Sequence, residues 1–343
     1  MNETRPQQDD SLKQYLIEEF LEDYQEGRMT RRDALKRLVG LTASVALSNM
    51  LLAACAPAAQ PPAATGIPSA VPTLAPSGSS GIPSPVATVA PAATAAATTA
   101  AGATATAPAT AMPDATLTTQ ATATVSAGNA DIHVSESDPA IKVSTVQFPS
   151  QGATIMGYLA RPSAEGTYAA ILVCHENRGL TEHIKDVTRR LAKAGYVALA
   201  VDLLSRQGGS DKQSESAIPG LLGNMDPAQM VGDFAAGVAY LKTQPFIAQG
   251  QFGMTGFCFG GGITWRAATQ IPELRAAVPY YGPNPPLEDV PKIQAAVLAH
   301  YGALDQRIDA GIPAIEQAMK QNNKIFEYHV YPGANHAFNN DTG

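Results

Sequence analysis

Between residues 56 and 130 the chain carries no aromatic residue and a single charge, Asp114, and is built almost wholly from Ala, Thr, Pro, Ser and Gly. Such a tract cannot bury enough apolar surface to offset the entropy of ordering it. It reads as a disordered, partly extended linker that divides the chain into three parts, 1–55, 56–130 and 131–343. The last part, about 210 residues, is a normal size for one α/β domain and too small to count on two. It holds twenty acids and sixteen bases, a formal charge of −4. Nucleic-acid binding usually leaves a basic footprint, so this balance argues against it.

Within the first part, Ser11 to Leu21 has apolar residues at helical spacing and predicts an acidic amphipathic helix, to which no chemistry is assigned. Arg31-Arg32 then precede an apolar stretch, Leu38 to Ala54, that carries no charge and ends in Leu51-Leu52-Ala53-Ala54-Cys55. A basic region, a short apolar run and a small-residue junction support export. The segment resembles a twin-arginine signal joined to a bacterial lipobox. That resemblance implies that Cys55 is the lipidated first residue of the mature protein, with the domain anchored on the outer face of a bacterial membrane. An uncleaved anchor and a soluble helix are the competing readings.

From about residue 143 short β-rich runs alternate with longer helical patterns, which predicts a mainly parallel sheet with helices on both faces. Strands are expected near 143–148, 155–160, 169–175, 196–201, 252–257, 276–281, 295–301 and 325–331, with the first two forming an antiparallel hairpin at one edge. Helices are expected near 181–194, 227–242, 260–269 and 309–322. In such sheets function gathers at the carboxyl ends of the strands.

One of those ends carries Gly256-Phe257-Cys258-Phe259-Gly260-Gly261-Gly262. Small residues two before and two after the central position permit a tight strand-to-helix turn that pushes the Cys258 side chain out of the sheet edge, a nucleophile elbow with sulfur in place of oxygen. The Phe259 amide, opening the helix, is then aimed at an oxyanion, and the helix dipole favours a thiolate. A thiol nucleophile needs a base and a group to orient it. Asp305 follows the strand near 295–301 and His336 follows the last strand, which puts both in loops at the Cys258 edge in the order nucleophile, acid, histidine. Asn177, after an early strand, is placed to give the second oxyanion amide.

The remaining histidines sit in strands, a helix or the domain entry apart from His175, which leaves the same early strand, and no pair has convincing metal-ligand spacing, so neither metal nor cofactor is expected. Cys174 ends an apolar run and reads as a buried structural thiol. A Cys174–Cys258 disulfide is the default in an oxidising compartment, although spacing alone cannot establish it.

Six segments, in order, resemble the dienelactone hydrolase family over roughly 140–343: His175 to Gly179, Val201 to Arg206, Gly256 to Gly261, Tyr280 to Gly282, Gly302 to Asp305 and Gly333 to Phe338. The resemblance implies an α/β-hydrolase fold and a Cys258–His336–Asp305 triad. It also implies that Glu176 pairs with the resting thiol, that Arg206 reaches toward a substrate carboxylate and that Tyr281 lines the pocket. This chain departs from the family pattern at Asn340, where the best-known members carry a second carboxylate-binding arginine. It departs again at Gly343, where relatives continue into a long C-terminal helix whose absence is expected to uncover an apolar face.

These readings converge on hydrolysis of a small-molecule ester or lactone through a thioester, by a monomer needing no cofactor. A broad carboxylesterase or thioesterase is the nearest alternative. A surface lipoprotein that only binds a ligand, or redox chemistry at Cys174 and Cys258, would be a different class of function.

Overall fold

The computed structural model describes residues 10–54 and 133–342. The expected linker and Cys55 lie outside the described residues. Three helices open the chain: α1 (Ser11–Gln25), α2 (Arg31–Thr42) and α3 (Val45–Ala54). The apolar stretch from Leu38 is therefore not one helix. Ala43 takes a left-handed φ of 53° and breaks it in two, and no helix among the described residues is long and apolar enough to cross a membrane.

The domain alternates strands and helices: β1 (Ile141–Ser150), β2 (Ala153–Pro162), β3 (Tyr168–Cys174), α4 (Glu182–Lys193), β4 (Val197–Val201), α5 (Ile218–Gly223), α6 (Pro227–Lys242), β5 (Ile247–Phe257), α7 (Phe259–Gln270), β6 (Leu274–Tyr280), β7 (Ala296–Gly302), α8 (Gln306–Asp309), α9 (Ile312–Gln321) and β8 (Phe326–Tyr331). One eight-stranded sheet results, in the order β1-β2-β4-β3-β5-β6-β7-β8. The β1–β2 hairpin is antiparallel at the edge, and β2 joins β4 antiparallel. From β4 to β8 the pairing is parallel. Every residue of β4 is buried, as the interior strand of a sheet covered on both faces requires.

Two short helices add to the expected pattern. The helix expected over 309–322 is α9, which Pro313, lacking an N–H, helps to open just after Gly311, and the four-residue α8, capped by Asp305, precedes it. The six-residue α5 is too short for a periodicity signal to find. It matters because α2 crosses it closely: a Cβ on Gly220 would fall 2.8 Å from the Gly40 backbone, and Leu38 and Leu41 are buried.

Both domain cysteines are free, buried thiols. The expected Cys174–Cys258 disulfide is therefore not formed; Cys174 pairs with Gly256 across β3 and β5, inside the sheet. A groove of about 590 Å³ opens between α4 and strands β3, β5 and β6, lined by apolar groups including Ile171, Leu191, Phe252 and Val278. It contains none of the candidate chemistry.

Candidate active site

Strands β3, β5, β6, β7 and β8 run in the same direction, so their carboxyl ends bring Glu176, Cys258, Tyr281, Asp305 and His336 to one edge of the sheet. Cys258 is the N-cap of α7 and has φ 57° and ψ −121°. A side-chain-bearing residue in this region of backbone space costs of order 1–3 kcal/mol, and such positions cluster at functional sites. Gly260 makes the turn possible, since a Cβ there would stand 2.6 Å from the Cys174 carbonyl oxygen. The Phe259 N–H faces the Cys258 sulfur and favours its ionised form.

Asp305 divides its carboxylate between two tasks. Oδ1 accepts from the Ile308 N–H at 3.3 Å, capping α8, and Oδ2 accepts from His336 Nδ1 at 2.6 Å. This bond leaves Nε2 as the nitrogen facing the thiol side of the site. Burial works against a charged imidazole, but the Asp305 bond and the nearby Glu19 charge prevail and raise the His336 pKa above its ordinary value. Cys258 Sγ and a His336 ring nitrogen lie within 4.8 Å of each other. A thiol, an imidazole and a carboxylate in this sequence can carry acyl transfer.

The groups nearest the thiol come from an unexpected element. Tyr15 of α1 holds its hydroxyl 3.3 Å from Cys258 Sγ and 3.3 Å from His336 Nε2. Both carboxylate oxygens of Glu19 lie 3.5 Å from the same sulfur, and the Asn177 side-chain amide donates to Glu19 Oε1 at 2.9 Å. Burial, then the charges of Glu19 and Glu176, push the Cys258 thiol well above its usual pKa. The absence of chemistry assigned to residues 11–21 is thus corrected. The signal was present in the sequence, because Glu19 falls inside the apolar stripe Leu12, Tyr15, Leu16, Phe20, all of which are buried.

Glu176 needs a second correction. It is not the carboxylate on the thiol, a position taken by Glu19. Its Oε2 accepts from Asn340 Nδ2 at 2.7 Å and its buried Oε1 has no hydrogen-bond partner. Burial drives its pKa up to about 7 against the lowering effect of Asn340.

Arg206 and Tyr281 also depart from expectation. Arg206 sits in a single helical turn after β4 and turns away from the site: both terminal nitrogens pair with Asp233 of α6, one at 2.8 Å, and one reaches the Ser150 carbonyl at 3.3 Å. Asp233 is fully buried, a fixed counter-charge that holds the guanidinium. Tyr281 packs edge-on behind His336, ring centroids 5.1 Å apart, with a buried hydroxyl and a positive φ of 36°; it does not line the cavity. That cavity, about 440 Å³, is lined by Glu19, Glu176, Asn177, Cys258, His336 and Asn340 among others. Its arginines are each paired: Arg28 with Asp23 at 2.9 Å, Arg37 with Glu215 at 3.7 Å and Arg178 with Glu215 at 3.2 Å.

A family model described as the dienelactone hydrolase family matches residues 155–343. A protein of Methylorubrum extorquens provisionally named a carboxymethylenebutenolidase is 37% identical over 209 residues, 57% of this chain and 72% of that protein. The crystal structure of a provisionally named dienelactone hydrolase from Klebsiella pneumoniae superposes with a TM-score of 0.55 at 35% identity, covering 60% of this chain and 90% of that one. A dienelactone hydrolase-like promiscuous phosphotriesterase from metagenomic libraries gives a TM-score of 0.51 at 26% identity, covering 58% and 84%.

Proposed function

The chain belongs to the dienelactone hydrolase family of ester and lactone hydrolases, and from that premise we propose that it works by acyl transfer through Cys258. The observation that carries the reading is the 2.6 Å bond between His336 Nδ1 and Asp305 Oδ2 beside a thiol at a left-handed elbow.

In this mechanism His336 Nε2 removes the thiol proton, and the Cys258 thiolate attacks the carbonyl carbon of an ester or lactone. The Phe259 and Asn177 backbone amides hold the oxyanion. As the tetrahedral intermediate collapses, the carbon–oxygen bond breaks and the leaving oxygen takes the proton from His336. An acyl thioester remains on Cys258. His336 then takes a proton from water, the resulting hydroxide attacks the thioester, and the acid departs as the thiolate recovers its proton. Asp305 stabilises the imidazolium at each stage. Turnover of an activated ester by the wild type and its loss in Cys258→Ala tests this assignment.

A specific observation favours uncharged esters over acidic dienelactones. Arg206 is bound to Asp233, the cavity's arginines are all paired with acids, and Asn340 serves Glu176. With α1 in place, no unpaired cation among the described residues therefore lines the cavity to meet a substrate carboxylate. Comparing kcat/KM for a dienelactone and for a neutral aryl ester decides the point, and preference for the dienelactone overturns it.

The Arg31-Arg32 pair and the Leu51 to Cys55 junction support export and lipidation at Cys55. Fatty-acid labelling of the wild type that disappears in Cys55→Ala is the expected result.

A further inference from the structure

We infer that helix α1 is an intramolecular plug, docked in the active-site cleft where substrate must bind and holding Cys258 and His336 in a resting arrangement. The inference rests on the reading of Cys258 as the nucleophile.

Tyr15 and Glu19 occupy the groups that catalysis would use. The Tyr15 hydroxyl stands between the sulfur and His336 Nε2, 3.3 Å from each, so the base faces a phenol in place of a thiol. Glu19 sets two oxygens 3.5 Å from the sulfur and takes the Asn177 side-chain amide, at the residue assigned to the oxyanion site. With these groups in place Cys258 is 3% exposed. A carboxylate beside a thiol repels the thiolate, and the burial of this one reinforces that effect. A group serving the reaction would be arranged the other way, to favour the ionised sulfur.

The helix is packed along its length. Leu16 and Phe20 are wholly buried, Leu16 toward Gly223 of α5 and Phe20 under the Arg37 guanidinium of α2, and the Leu12 side chain packs onto Gly262 at the start of α7. Polar contacts fasten both ends: Lys13 to Asn224 at 3.0 Å, Arg266 to Ser11 at 2.5 Å, and Arg307 to Glu22 at 2.9 Å with its guanidinium 4.6 Å from the centre of the Tyr15 ring. The cleft is therefore a surface that accepts an acidic amphipathic helix, and the occupant is this chain's own residues 11–25. Because these lie upstream of Cys55, the cut proposed there would remove the plug together with the leader, and the hydrolase would open on maturation.

The test uses the full chain as wild type, as Leu16→Asp/Phe20→Asp, which undocks the helix, and as Tyr15→Phe, which keeps its packing and removes the bridging hydroxyl. Alkylation of the Cys258 peptide by iodoacetamide, read by mass spectrometry, reports access to the thiol independently of turnover. Hydrolysis of a neutral aryl ester is measured alongside. We expect the double variant to be alkylated at least about tenfold faster than the wild type, since two wholly buried side chains no longer favour the docked state. Its kcat/KM should rise in parallel, and Tyr15→Phe should move both in the same direction by less. Faster alkylation without ester cleavage in any variant keeps the plug and overturns the acyl-transfer reading. Unchanged alkylation in both variants overturns the plug. So does faster ester hydrolysis by the wild type than by Tyr15→Phe, which would make Tyr15 part of the catalytic machinery.

Discussion

His336 Nδ1 donates to Asp305 Oδ2 across 2.6 Å, while the other Asp305 oxygen accepts from the backbone of α8. A single carboxylate thus fixes both the start of a helix and the tautomer of an imidazole. The two tasks can be separated by substitution. Asp305→Asn retains an acceptor for the cap but loses the charge that supports an imidazolium, so kcat for an activated ester should fall by about 10²–10⁴-fold with little change in KM. A similar fall in KM, kcat and thermal midpoint together would show the residue to be structural only.

The raised pKa of Glu176 gives stability a definite pH dependence. Its folded value of about 7 exceeds the ordinary 4.5, so between those values the folded state holds a proton that the unfolded state has lost. The contribution is complete below about pH 4.5, declines as pH rises toward 7 and is then flat. Its size is of order 3 kcal/mol. Urea midpoints at pH 4.5 and 7.5 should differ more in the wild type than in Glu176→Gln, where this part of the slope disappears.

Arg206 was expected at the substrate and is found on Asp233. Arg206→Met therefore leaves a buried aspartate without its partner and should cost about 3–5 kcal/mol of stability. At a temperature where the variant stays folded, KM for a neutral aryl ester should equal that of the wild type. A large rise in KM would return Arg206 to the substrate.

At the elbow, Gly260→Ala brings a Cβ to 2.6 Å from the Cys174 carbonyl oxygen. Neither partner is a flexible side-chain end, so β3 or α7 must shift. A loss of about 1–3 kcal/mol in unfolding free energy is expected, together with reduced turnover because the Cys258 backbone moves. Wild-type stability and activity in this variant would contradict the close packing of the elbow.

The sheet and the edge carrying the candidate site were legible because their signals are local. Short apolar runs mark the eight strands, and Cys258, Asp305 and His336 each lie in the segment that follows one, so the direction of the sheet is enough to gather them. What escaped depends on contacts distant in sequence. Nothing near Arg206 announces Asp233 on another helix, and nothing near Asn340 announces Glu176 in the loop after β3. The docking of α1 spans more than two hundred positions, yet Glu19 within a buried apolar stripe was a readable anomaly, since an unpaired carboxylate is rarely buried. The short α8 before the expected helix turned on Asp305, which serves as its cap as well as a partner for His336.

The most direct test of the account is the mass of the protein during turnover of a neutral aryl ester, in the full chain carrying Leu16→Asp/Phe20→Asp, with and without Cys258→Ala. A transient adduct of one acyl group on the Cys258 peptide is expected, appearing with a burst of aryl alcohol and absent, along with turnover, from the Cys258→Ala protein. Steady hydrolysis that survives Cys258→Ala, with no acyl adduct on this peptide, would contradict it.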